Sequence, residues 1–225
     1  MDGTTMTLRN FITPLHTRTS RDYLQRVNAH DKAACAEVAS QWGKDYWDGD
    51  RRHGYGGYHY DGRWASVAGA MAACYELGPG SRVLDVGCGK GFLLYELRQQ
   101  VPGLEIAGLD ISAYALEHAK PEVQPHMQLG NASCLPFPDH SFDLVISIMT
   151  LHNLPLDQLF QALAEIERVR ASHAFIAVES FRNEREKVNL LYWQLTCRAF
   201  HSSEEWLWLG DRLGYGGDWE FLYFE

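Results

Sequence analysis

The sequence predicts an α/β fold, a doubly wound, mostly parallel sheet of six or seven strands with an N-terminal helical and loop cap. Three observations carry this. From residue 64 onward, short apolar runs alternate with amphipathic stretches, the pattern of parallel strands joined by crossover helices. The first of those runs ends in a glycine-rich turn, Gly87-Cys88-Gly89-Lys90-Gly91. The length of 225 residues, with 46% hydrophobic and 22% charged side chains, suits one ordinary globular domain with a small appendage.

Taken in order, residues 21–41 read as one or two helices, with Ser20 as cap. Residues 43–64 carry six glycines, which argues against regular structure there. A helix is expected over 64–76, stopped by Gly78-Pro79-Gly80, and a buried strand over 82–86. A helix over 92–100 is stopped by Pro102-Gly103, and a strand follows over 105–109. Ser112 caps a helix to about residue 120, and a weak strand spans 126–129. Strongly apolar 142–148 is a strand, 156–169 a helix and 174–179 a strand. Helices over 184–199 and 204–213 and a strand over 219–224 complete the chain. The organisation is therefore a helical segment and Gly/Tyr-rich lid over 1–64 and a core over 65–225.

Composition excludes several classes. No apolar stretch approaches the ~20 residues of a membrane span, and residues 1–10 lack an apolar leader, so a cytoplasmic protein without a membrane partner is expected. Five cysteines, an odd number without CxxC, suggest free thiols rather than a disulfide framework or zinc ribbon. Residues 1–64 hold nine Lys/Arg against eight Asp/Glu, whereas 65–225 hold eleven against twenty-one. Such an acidic body repels a phosphate backbone, so DNA is not an expected partner. His53, His59 and Asp61 match no tetrahedral metal spacing, and no metal is expected.

In parallel sheets, ligands sit at the carboxyl ends of the strands, so the residues after each strand matter most. The first strand leads into Asp85-Val86-Gly87-Cys88-Gly89-Lys90-Gly91-Phe92. Glycines let the backbone turn tightly and approach a ligand, and the next helix offers unpaired N–H groups. A nicotinamide fingerprint would place its third glycine at 92, where Phe stands. Asp85 would repel a pyrophosphate, yet it can organise the loop around a cationic ligand. No GxxxxGK[ST] pattern occurs, which excludes a P-loop.

From Val83 to Asp143 the chain resembles the core of class I S-adenosylmethionine-dependent methyltransferases, with a Rossmann-like sheet. Asp85, Gly87, Gly89 and Gly91 fit that family's D-x-G-x-G-x-G motif. Asp110, ending the second strand in Gly108-Leu109-Asp110-Ile111-Ser112, fits the acid that accepts from both ribose hydroxyls, sound chemistry for a carboxylate. Asn131-Ala132-Ser133 stands where the family reads adenine; many members have Asp at the first position, and Asn131 can both donate and accept. The resemblance thus implies the cofactor S-adenosyl-L-methionine, with Asp85, Gly87, Cys88, Gly89, Asp110, Ile111, Asn131, Ala132 and Ser133 around it. Cys88 reads as a small loop residue, not a nucleophile. Tyr55-Gly56-Gly57-Tyr58 and Val178-Glu179-Ser180 are similar to marks of a bacterial subgroup of small-molecule type. The family ends in an antiparallel pair of strands, but here only one strand is evident after the last helix, unless a short one lies near 198–201.

Three residues are candidates for catalysis. His152, just past the fourth strand, falls where the resemblance puts the transferred methyl group, and it could take a proton near neutral pH; the plainer reading is a histidine that ties the loop. Glu179, ending the fifth strand, could hold an amine or act as base, or simply pair with Arg182 or Arg185. Tyr58 belongs to a Gly/Tyr-rich stretch, 42–64, expected to close over cofactor and substrate. Seventeen of the 28 aromatic residues lie in 42–64 and 190–225, mostly explained if those segments pack on each other, and equally compatible with a homodimer. The resulting expectation is methyl transfer to O or N of a small molecule, with a slight lean to an amine-bearing or sugar-like acceptor. The rival readings are an RNA or protein methyltransferase, a nicotinamide oxidoreductase, which the glycine spacing opposes, and a non-catalytic cofactor-binding module.

Overall fold

A computed structural model describes residues 6–225; the expected absence of a leader over residues 1–5 lies outside them. Six strands form one sheet: β1 (Arg82–Val86), β2 (Glu105–Asp110), β3 (Met127–Leu129), β4 (Phe142–Ile148), β5 (Arg170–Ser180) and β6 (Asp218–Tyr223). Their order is β3-β2-β1-β4-β5-β6 and every pairing is parallel. No strand forms over 198–201; Ser202 makes only an isolated bridge to Phe181. The antiparallel strand pair of the resemblance is therefore absent from the described residues, and β6 lies parallel to β5.

Alternation along the strands sorts the core onto two faces. Leu84, Val145, Ile176 and Trp219 pack against Leu159, Leu163 and Ile166 of the helix Leu156–Val169 and against Trp206 and Leu209 of the helix Ser203–Leu213. Val83, Leu144, Ile146, Phe175 and Leu222 pack against Val67 and Met71 of the helix Ala65–Cys74 and against Leu93, Leu94 and Leu97 of the helix Phe92–Gln100. All of these core side chains are essentially removed from water, and such burial dominates the stability of a layered fold.

Boundaries follow local chemistry. Ser112 accepts from the Ala115 N–H and starts the helix Ala113–Glu117, which is shorter than expected. The N-terminal helices Tyr23–Asn28 and Lys32–Ala39 are capped by Asp22 and Asp31, not Ser20. A further short helix, Lys44–Trp47, interrupts the glycine-rich stretch.

The N-terminal segment lies along β6. The Arg9 N–H donates to the Trp219 carbonyl (2.8 Å) and the Trp219 N–H to Thr7 (3.1 Å). Buried Glu220 accepts from the N–H groups of Phe11, Ile12 and Thr13 and from the Thr13 hydroxyl. Asp218 binds Arg9 and the Tyr75 hydroxyl. No helix among the described residues is long and apolar enough to cross a membrane.

Candidate active site

The carboxyl ends of β1, β2 and β4 converge on the glycine turn. The Leu109 carbonyl accepts from the N–H groups of Gly87 (2.7 Å) and Cys88 (3.2 Å). Asp110 accepts from Gly89 N–H at Oδ2 (2.7 Å) and from Ser112 N–H at Oδ1 (2.8 Å). Each oxygen keeps a lone pair for a further donor. Gly87 and Gly89 have φ of +86° and +54°, and a side chain on Gly87 would run into Thr150. Asp85 is buried but accepts no hydrogen bond from the described residues; Asp110 and the Leu109 carbonyl tie the loop instead. Burial, reinforced by the Asp110 charge, lifts the Asp85 carboxyl to about 7. Burial also raises Asp110, against the pull of its Ser112 and Gly89 N–H bonds. Burial likewise holds the Cys88 thiol well above its usual range, so it is not a nucleophile.

The glycine-rich stretch sits on this turn. Lys90, between Gly89 and Gly91, is buried and its Nζ reaches Asp48 (2.6 and 2.7 Å) and the Tyr58 carbonyl (2.9 Å). The Trp47 Nε1–H donates to Ser112 Oγ (2.9 Å), and its ring lies so close that a Cβ on Gly89 would be 2.8 Å from it. Trp47 stacks on Tyr55 and Tyr58 on Phe92. The segments 42–64 and 190–225 meet through Arg51, which lies over the Trp193 ring at 5.3 Å, but among the described residues no ring–ring contact joins their aromatics.

Three adjoining cavities result. One lies between Asp110, Ile111, Asn131, Ala132 and Trp42; another lies between Asp85, Gly87, Cys88, Gly89 and Tyr58. Together they contain every residue expected at the cofactor except Ser133, whose N–H and hydroxyl instead donate to Asn131 Oδ1 (3.0 Å each). The third cavity, about 390 Å³, lies under the N-terminal segment and contains Glu179 and Tyr58, a size suited to a small molecule. Tyr55 and Met149 border all three. Met149 holds a φ of +55°, rare for a side-chain-bearing residue and a recurrent feature of functional sites.

Glu179 is 1% exposed. Its Oε2 accepts from the Gln194 side-chain amide and faces His152 Nε2 at 3.4 Å. The Glu179 N–H meets His152 Nδ1, also at 3.4 Å, which assigns the proton of a neutral ring to Nε2. Burial lifts the Glu179 carboxyl to about 8, while Arg21 and Gln194 restrain the rise. Burial pushes His152 down to about 3. His152 lines none of the three cavities, and its ring is turned to Glu179. Asp61 pairs with Arg63, and His59 lines the third cavity.

Sequence reasoning singled out Tyr55 within the Gly/Tyr-rich stretch but missed Trp47 and Met149, and it missed the basic wall of the third cavity: Arg21, Arg26 and Arg51. The slight lean to an amine-bearing or sugar-like acceptor rests on the acidic body and on Glu179; among the described residues Glu179 is the one acid lining this cavity, and the rest of the acidic body lies elsewhere. Met149 had a signal, its place directly after β4. The arginines had none, because segments distant in sequence gather them.

The turn, the acid at the end of β2 and the parallel sheet are the arrangement expected of a methyltransferase-type domain. Residues 84–178 match the family described as "Methyltransferase domain". A demethylmenaquinone methyltransferase of Symbiobacterium thermophilum is 35% identical over 128 residues, which is 53% of this chain and 50% of that protein. Its counterpart in Lysinibacillus sphaericus is 41% identical over 96 residues, 40% of each. The chain thus spans half or less of these relatives' length. Among solved structures, the YcgJ protein of Bacillus subtilis superposes with a TM-score of 0.55 at 25% identity, covering 65% of this chain and 66% of that one. Residues 84–178 match a methyltransferase domain, and over this stretch the chain is similar to methyltransferases in sequence and in fold.

Proposed function

We propose that the protein transfers a methyl group from S-adenosylmethionine to an oxygen or nitrogen of a small molecule. The observation that carries this is the junction. The cavity holding Asp110 and Asn131 shares Tyr46, Tyr55 and Met149 with the cavity holding Glu179, so cofactor and acceptor would meet there. The donor set suits this cofactor: Asp110 has lone pairs free for a diol, and Asp85, buried without a hydrogen-bond partner among the described residues, suits a cationic group. When bound, the cofactor supplies a sulfonium methyl whose C–S electron pair stays on sulfur as the acceptor's O–C or N–C bond forms.

This chain's own residues then do three things. Asp110, Asn131 and the glycine turn position the nucleoside. Trp47, Tyr55 and Tyr58 exclude water from the junction, and alignment with exclusion of water supplies most of the acceleration. Glu179 takes the acceptor's proton at Oε1, while His152 and Gln194 hold Oε2. His152 is thus a positioning residue, and Glu179 is the base. The relatives' named activity supports methyl transfer and not their acceptor, because the family match over 84–178 leaves out the acceptor wall at residues 12–64 and 193–196.

The test is transfer of label from methyl-labelled S-adenosylmethionine into a size-fractionated metabolite and macromolecule extract, with Asp110→Ala as control. Label in the small-molecule fraction, lost in the variant, is expected. Label in RNA or protein would overturn the acceptor class. Cofactor binding without label in any fraction would leave a binding module.

A further inference from the structure

The third cavity carries a charge pattern that methyl transfer alone does not require. Arg21, Arg26 and Arg51 lie over one indole, that of Trp193, with their guanidinium carbons 5.4, 5.4 and 5.3 Å from its centroid. All four residues line the cavity. None of the three arginines forms an ion pair among the described residues, although the chain has 29 acids for 20 Lys/Arg. Elsewhere arginines find carboxylates readily: Arg9 with Asp218, Arg168 with Glu165, Arg170 with Glu167 and Arg182 with Glu186.

The Nε atoms of Arg21 and Arg26 are also buried without a hydrogen-bond partner among the described residues. What the cluster does bind is neutral. Arg21 donates to the carbonyls of His16 and Thr19 and to His16 Nδ1; Arg26 donates to the Arg51 carbonyl; Arg51 donates to the Gly54 carbonyl. Burial holds His16 down to about 4, so that ring stays neutral and offers no compensating charge. Like charges crowded together with unsatisfied donors are unfavourable. The indole face offsets only part of this.

We propose that this cavity takes an acceptor bearing a carboxylate or a phosphate, held by Arg21, Arg26 and Arg51 above Trp193, with its nucleophilic group towards Glu179. The inference rests on the proposed methyl transfer for the word acceptor, but the anion site stands on the arginines alone. Planar guanidinium forks match either oxyanion. The aromatic walls, Tyr46, Tyr55 and Trp64, would cover the remainder of the molecule. The concave shape favours a metabolite over a polymer.

Two measurements test it on the full chain. Calorimetry with inorganic pyrophosphate and with citrate distinguishes the phosphate from the carboxylate source. Saturable binding of at least one is expected, weakened about tenfold or more in Arg21→Gln/Arg26→Gln and less in the exposed-site variant Arg51→Gln, with S-adenosylmethionine affinity unchanged as the folding control. In the second, labelled methyl groups are transferred into a metabolite extract split on an anion exchanger, and label is expected in the retained fraction. The proposal is overturned if neither anion binds saturably, if the variants bind them as the parent does, or if label enters the unretained fraction or RNA. If no fraction takes label, the methyl-transfer reading fails while the calorimetry still decides the anion site.

Discussion

The two ends of the site differ in origin and in charge. The end proposed for the cofactor is built from strand ends of one sheet and carries two buried acids, Asp85 and Asp110. The end proposed for the acceptor is built from loops and short helices at the periphery and carries three arginines that form no ion pair among the described residues. Opposite fields on either side of Tyr55 and Met149 would sort a cationic cofactor from an anionic acceptor before either makes close contact. On this reading the sheet edge would set one specificity, and the peripheral wrap the other.

The largest expected effect breaks the cofactor end alone. Asp110→Ala should weaken S-adenosylmethionine binding about a hundredfold, because a buried carboxylate that orders two backbone N–H groups and accepts from a ligand is lost. Binding of pyrophosphate or citrate, measured by calorimetry, should stay within about twofold; a comparable loss there would mean the two ends are not separable.

Glu179→Gln should lower kcat about a hundredfold, the usual worth of a positioned base, with cofactor affinity retained. Only the ionised carboxylate can take a proton, so the wild-type rate should climb with pH and level off above about 8. An unchanged ascending limb in the variant would remove Glu179 from the chemistry.

Tyr58→Ala should weaken both ligands about tenfold, because Tyr58 lines both the Asp85 and the Glu179 cavities and its ring stacks on Phe92 at 5.0 Å. If both affinities stayed the same in calorimetry, the stretch 42–64 would not act as a cover.

The smallest effect concerns Asp85. Below about 7 its carboxyl is protonated, and binding a cationic group must release that proton. Affinity for S-adenosylmethionine should therefore rise a few-fold from pH 6 to 8, and Asp85→Asn should flatten the dependence.

Legibility in the sequence followed the same divide. The strand Phe142–Ile148 and the helix Leu156–Val169 stand where the sequence predicts them, since the strand is a near-continuous apolar run and the helix a clear stripe. β5 begins at Arg170, four residues early, because Ala171, Ser172 and His173 lie exposed at its entry and show no apolar pattern. The helix from Glu184 stops at Trp193, not near 199, where Gln194 turns extended without a Gly or Pro to announce it. At the site, the glycine turn and Asp110 are local motifs, readable because neighbours in sequence do the work. Arg21 meeting Trp193 depends on how the whole chain wraps, and no local pattern encodes that.

The wrap also fixes an order of assembly. Residues 7–13 are held by Trp219, Asp218 and Glu220, partners made some two hundred residues later. On a ribosome, the glycine turn and its supporting strands can pair while the C-terminal residues are still being made, whereas the N-terminal wall of the proposed acceptor pocket must wait for β6. Such long-range closure is slow to form. A nascent chain would therefore acquire the means to hold its cofactor before it acquired a place for anything to be methylated.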